Sequence, residues 1–152
     1  MKRGTILIAF ILTMILSTEA NAQFKVPDTK ETEHWKIELL EPLKNEALIQ
    51  AKKGKYEVYS LLVTNKGNEV YNVEVEAFRN GENDNKMYGL APQFEHPHMQ
   101  AGDTLQFSNF PVKTKTEKVE FVITWEDTPI TLKDGTKVFG RKFKETISFL
   151  KS

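Results

Sequence analysis

The chain has 152 residues, with 21 basic and 21 acidic side chains, three His and no Cys. Balanced charge removes the electrostatic reason to expect nucleic acid or an anionic membrane as the main partner. The absence of Cys excludes disulfides, thiolate metal ligands and Cys nucleophiles. At 39% hydrophobic and 11% aromatic residues the chain can build a core of its own, and its length fits one domain.

Residues 1–22 read as a cleaved secretory signal peptide. Lys2 and Arg3 supply a positive start, and Thr5 to Leu16 is an uncharged, mostly apolar run. Small residues at Ala20 and Ala22 fit a signal peptidase site before Gln23. The apolar run is too short for a spanning helix, which needs about 20 residues. The expected product is a secreted, extracellular chain with no membrane attachment. An exported protein without Cys fits a Gram-positive source, as a matter of composition.

Residues 23–33 are polar and contain Pro27, which predicts an extended, mobile lead-in. From residue 34 to 152 the pattern is that of strands. Trp35, Ile37 and Leu39 alternate with Lys36 and Glu38, and Pro42 closes the run. Leu43 to Lys52 is the one stretch that suits a short helix, and it suits a loop nearly as well. Tyr56 to Thr64 is apolar on both parities and reads as a central strand. Asn65 to Asn68 is a turn in which Gly67 can take positive φ. Next, Tyr71, Val73, Val75 and Ala77 point one way while Asn72, Glu74 and Glu76 point the other. Asn80 to Asn85 is a polar loop, and Met87 to His98, with Pro92 and Pro97, is irregular. Leu105 and Phe107 begin another strand. Val119, Phe121, Ile123 and Trp125 share one face of the strand after it. Asp134-Gly135 gives the strongest two-residue hairpin signal of the chain. Phe139, Phe143, Ile147 and Phe149 share a parity along the last strand; Glu145 falls on it too, requiring either a bulge or incomplete burial.

About seven short strands at this turn spacing predict an all-β fold, an antiparallel β-sandwich. Lys55 to Ala77 (KYEVYSLLVTNKGNEVYNVEVEA) resembles the strand–turn–strand hairpin of bacterial Ig-like domains of the CARDB and FxLYD types. Met99 to Phe107 (MQAGDTLQF) and Val119 to Trp125 (VEFVITW) are similar to segments that follow it in those domains. The same order resembles Ig-like proteinase inhibitors of bacilli. The resemblance implies an Ig-like sandwich and leaves function open, because such sandwiches host many roles.

The chemistry that can be read from the sequence is sparse. There is no Gly-x-Ser-x-Gly elbow and no phosphate-cradling Gly-rich loop, so no enzyme is expected. His96 and His98 stand two apart, which on an extended segment offers two imidazoles to one Cu or Zn ion, and Met87 or Met99 can add a soft ligand for copper. No third ligand is fixed by spacing, and an ordinary surface loop accounts for the same residues. Asn80, Glu82 and Asp84 lack the offsets of a Ca²⁺ loop. Trp35 and Trp125 lie on apolar parities and belong to the core. Tyr56, Tyr59, Tyr71 and Tyr88 are candidates for exposed contacts. Lys113, Lys115, Lys118, Lys133, Lys137, Arg141, Lys142 and Lys144 make the C-terminal third basic. The expectation is a non-enzymatic binding module at the cell envelope, contacting a protein or a cell-wall polymer, with no nucleic acid. Tyr88 and the Asp134-Gly135 hairpin are its contact residues, since loops on a rigid sandwich usually carry function. The alternatives are an extracellular protease inhibitor, a Cu- or Zn-binding protein and a self-assembling matrix protein.

Overall fold

A computed structural model describes residues 23–152, so the signal peptide read at 1–22 lies outside the described residues. The described residues form ten strands: β1 (Asp28–Glu31), β2 (Trp35–Leu40), β3 (Tyr56–Asn65), β4 (Val70–Asn80), β5 (Met87–Met99), β6 (Thr104–Lys113), β7 (Lys118–Glu126), β8 (Ile130–Thr131), β9 (Lys137–Val138) and β10 (Lys142–Leu150). One sheet runs β1-β2-β3-β6, the other β10-β7-β4-β5, and β8-β9 form a separate hairpin. All pairings are antiparallel. The fold is therefore the expected all-β antiparallel sandwich. The extra strands over the expected seven are β1, in the lead-in, β5, in the stretch expected to be irregular, and the division of the expected last strand into β9 and β10.

The two sheets bury one continuous core, which includes Trp35, Ile37, Leu39, Leu61, Val63, Val73, Val75, Phe110, Phe121, Ile123, Trp125 and Phe149. Its aromatic rings meet edge-on: Phe110 and Phe121 at 6.4 Å, Phe121 and Phe149 at 5.7 Å, and Trp35 and Trp125 at 5.4 Å. That geometry sets the positive edge of one ring against the negative face of the next. The predicted parities of β2 and β7 hold throughout, and both Trp residues are core.

Two bulges reset the parity elsewhere. At Asn72 (φ 48°) two residues of β4, Asn72 and Val73, face one of β7, Trp125, which sends Val70 inward and Tyr71 outward. At Asn109 (φ 52°) β6 gains one residue on β3, so the inward series passes from Leu105 and Phe107 to Phe110 and Val112. Asn tolerates the left-handed region better than other residues with a Cβ, and both bulges use it.

Several local expectations are corrected. The lead-in is anchored, with Phe24 only 3% exposed and packed edge-on against Tyr59 at 5.7 Å. Tyr59 is thus a core residue rather than an exposed contact; burial and its hydrogen bond to Glu57 push its phenol well above the ordinary range. Residues 43–52 are not helical. They lie over the outer face of β3, pinned by the buried Asn109 side chain. Asn109 accepts from Leu43 N (2.7 Å) and donates to the carbonyls of Leu43 (3.0 Å) and Ile49 (3.1 Å). That cover explains why Val58 and Ser60 are buried outside the inter-sheet core. Gly67 does not take positive φ; it admits the close approach of His34, whose Cδ2 would stand 3.2 Å from a Cβ there. Met87 to His98 falls within the edge strand β5, where Pro92 and Pro97 are tolerated because one side needs no ladder donors.

Glu145 faces inward without a bulge, since β10 pairs with β7 in unbroken register. Its Oε1 meets His34 Nδ1 at 3.3 Å, closing the sandwich edge between the sheets, and the His34 ring leans on Trp125 at 5.3 Å. At another corner the two ends of the described chain meet. Lys151 donates from Nζ to Thr114 O at 2.5 Å and lies 3.7 Å from Glu57, which accepts from the Tyr59 hydroxyl, and that hydroxyl accepts from Phe24 N.

Candidate recognition surface

The β8-β9 hairpin stands apart from both sheets. Ile130 pairs with Val138 and Thr131 with Lys137, and Leu132 N donates to Thr136 O at 2.8 Å. This leaves a three-residue loop, Lys133-Asp134-Gly135, rather than the two-residue turn expected. Gly135 takes φ 85°, the left-handed position that closes such loops. Asp134 Oδ1 accepts from Thr136 N at 2.9 Å, and this backbone bond holds its carboxyl below the usual carboxylate range. Asp134 and Gly135 therefore shape the tip, and their neighbours flank it.

Those neighbours are apolar and exposed: Ile130 58%, Leu132 46%, Val138 37% and Phe139 78%. The sequence parity had assigned Phe139 to the last strand with Phe143, Ile147 and Phe149. The structure starts β10 at Lys142 and leaves Phe139 outside it. Residues 127–144 carry five basic and two acidic side chains, a net charge of +3 in a chain of net charge zero.

Beside the hairpin lies a shallow depression of about 530 Å³, lined by Asn72, Glu74, Glu95, His96, Glu126 and Phe139 among others. Its acidity has a structural origin. Glu74 and Glu95 are directly opposed across β4 and β5, a like-charge pair that costs stability unless a cation answers it. Asn72 Nδ2 donates to Glu126 Oε2 at 2.8 Å, and Lys142 reaches Glu74 at 3.5 Å.

The three metal candidates have different surroundings, although His96 and Met99 both line a small depression with Asp103. Met99 is buried in the core, paired with Val70. His98 Nε2 meets Glu69 Oε1 at 2.5 Å and its ring packs on Tyr71 at 4.9 Å. Partial burial and the hydrogen bond to Glu69 raise the Tyr71 phenol above its ordinary range. His96 lines the acidic depression instead. Among the described residues no group of three or more His, Asp or Glu is placed to hold a metal ion.

Tyr88 occupies the far end of β5. Its hydroxyl donates to Asp84 Oδ2 at 2.7 Å, a bond that raises its pKa, and the Arg79 guanidinium lies 4.8 Å from its ring centre. A Cβ at Gly81 would meet Asp84 Oδ1, so glycine there lets the loop close on the tyrosine. Tyr88 is thus exposed and held, but remote in sequence and pairing from the basic hairpin. Next to it, a groove of about 700 Å³ runs between Asn80–Asn83, Thr114–Glu117 and Leu150–Lys151. Asn80 Oδ1 fixes that end by accepting from Glu117 N and Lys118 N.

The model of the YozF-like secreted protein family matches residues 19–152. The chain belongs to that family. It is secreted, as the leader-like sequence predicted. It is 28% identical over 137 residues to a protein of Bacillus subtilis (strain 168) named "Uncharacterized protein YozF", covering 82% of this chain and 78% of that one. No solved structure matches the chain. Family membership places the sandwich outside the cell; the Ig-like resemblance is compatible with the two-sheet architecture.

Sequence reasoning missed the hairpin's apolar faces and the acidic depression. The alternation Ile130, Leu132 and Val138 was visible, but nothing local says whether an alternating pair finds a sheet to cover it. The depression depends on the pairing of Glu74 with Glu95, which is a register fact.

Proposed function

We propose that this protein is a secreted, non-enzymatic recognition domain of the cell exterior, and that the hairpin spanning residues 130–139 is its contact element. The observation that carries this reading is the exposure of Ile130, Leu132, Val138 and Phe139 within ten consecutive residues of an ordered hairpin. Exposed apolar clusters rimmed by charge are typical of interaction sites. Lys133, Lys137 and Arg141 supply the rim.

The chemistry favours a protein surface over an anionic wall polymer. A phosphate-rich chain pairs with the lysines and leaves Phe139 and Ile130 in water. A protein bearing acidic groups around an apolar patch satisfies both. The tight loop at Asp134-Gly135 also argues against substrate-like protease inhibition, which presents an extended segment, whereas this tip is closed by the Leu132–Thr136 bond. For Cu or Zn, the His98–Glu69 contact competes for one of the two imidazoles.

The test replaces Leu132 by the photoreactive residue benzoylphenylalanine in the secreted protein, in culture medium with the producing cells. Irradiation is expected to give a covalent protein adduct. The absence of an adduct to any protein overturns the reading.

A further inference from the structure

Resting on that reading, we infer that the protein surface taken by the hairpin is that of a second copy of this chain. The basic apolar hairpin of each protomer docks in the acidic depression of the other. Three observations converge. The depression presents the opposed pair Glu74 and Glu95, with Glu126 beside them, and so needs cations. The hairpin brings Lys133 and Lys137 together with Ile130, Leu132, Val138 and Phe139, and so needs both anions and apolar cover. The two features adjoin on one face, because Phe139 belongs to the hairpin and lines the depression.

Adjacency decides the geometry. A twofold contact requires each protomer to carry both halves of the fit on the same face. A hairpin on one face and a depression on the opposite one would build an open chain of molecules. Here a single axis passing between the two features lets both contacts form at once and closes the assembly at two copies. Within one protomer the hairpin already sits at the rim of its own depression, where Lys142 of β10 answers Glu74, yet Phe139 is left largely in water. The intramolecular arrangement therefore satisfies part of the charge and little of the apolar surface.

Charge exchange in the purified secreted protein tests this by sedimentation velocity over a concentration series. The wild type is expected to pass from monomer to dimer, and raised salt is expected to weaken the association because the attraction is ionic at its rim. Lys137→Glu alone and Glu95→Lys alone are each expected to weaken self-association at least tenfold. Mixed together, they restore it: the acidic hairpin of the first meets the basic depression of the second, and the reverse contact is unaltered. That rescue also shows that both variants are folded. A wild type that stays monomeric at the highest concentration overturns the inference, as does a mixture that associates no better than either variant alone. The photo-adduct experiment separates the two readings. An adduct in culture medium with no dimer of pure protein removes the second copy and keeps recognition. No adduct in culture medium together with no dimer of pure protein removes both.

Discussion

The interior of the sandwich and the β8-β9 hairpin use the same alternating apolar code to opposite ends. In β7 the series Val119, Phe121, Ile123 and Trp125 is buried by a facing sheet. In the hairpin the series Ile130, Leu132 and Val138 is presented to solvent, and Phe139 with it. The difference lies in what is packed against each strand rather than in the strands. Alternation specifies that a strand has an apolar face; whether that face is core or contact surface is decided by the rest of the fold. Exposed as they are, the four apolar side chains add little to folding stability and are available to the contact proposed above.

The sharpest way to break this contrast is to remove a ring from each region. Phe121→Ala empties a fully buried site flanked by Phe110 and Phe149 and is expected to cost about 3–5 kcal/mol in urea unfolding. Phe139→Ala is expected to change the folding stability of the monomer by less than about 0.5 kcal/mol, as for other exposed positions. A comparable loss from both means that the hairpin is part of the core and the contrast is false.

A second comparison sets two lysines side by side. Lys151 lies next to the C-terminus, yet its side chain is 8% exposed, close to Glu57 and bonded to Thr114 O. Lys115 pairs with Glu82 at 3.3 Å but is 75% exposed. Lys151→Ala is expected to destabilise by about 2–3 kcal/mol, because it leaves a largely enclosed carboxylate short of a partner and a carbonyl without its donor. Lys115→Ala is expected to cost less than about 0.5 kcal/mol. Chemical denaturation of the pair checks the order; equal effects refute the latch between the chain ends.

Next in size is Asn109, which ties the segment 43–49 to the outer face of β3. Asn109→Ala removes the bonds to Leu43 and Ile49 and leaves a methyl at φ 52°, an expected loss of about 2 kcal/mol. Asn109→Gly relieves the backbone strain without restoring the bonds. It is expected to be the more stable of the two while still losing hydrogen-exchange protection at the Leu43 amide. Unchanged Leu43 protection in both variants shows that another contact holds the segment.

How far the sequence reveals this structure depends on the range of the determining contact. Strands β2 and β7 are legible because inward and outward residues alternate without interruption. Strands β4 and β6 are legible on each side of Asn72 and Asn109 but not across them, since one residue in the left-handed region inverts every later side chain. The parity of Val73, carried across Asn72, puts Tyr71 inside for that reason, whereas it stands outside the core, as its candidacy for exposed contacts implies. Tyr59 was read as a contact residue because tyrosine suits surfaces; the satisfied hydroxyl that lets it be buried comes from Glu57 and Phe24, the latter far away in sequence. Glu145 shows the converse. Its inward parity was visible, and its partner, His34, lies 111 positions away. The hairpin turn was legible as a turn, while the depression beside it was not, because it exists only through the pairing of β4 with β5.

The smallest effect concerns how firmly the hairpin tip is held. Asp134 binds Thr136 N as a carboxylate, and this bond lowers its pKa from the ordinary 3.8. A depressed carboxyl contributes stability above its unfolded value and loses it as pH falls through the lowered folded value. Protection of the Thr136 amide, followed by NMR from about pH 6 to about pH 2, is therefore expected to stay level through the mildly acidic range and to drop only at strongly acidic pH. The sandwich amides of β7 should not follow that step, because the tip makes no contact with their hydrogen bonds. Asp134→Asn keeps an acceptor at the same place without a titrating proton and is expected to flatten the acid step. If the step survives in that variant, another titrating group causes it and the Asp134 carboxylate does not hold the Thr136 amide. Asp134 would then be a spectator at a turn that Gly135 already closes.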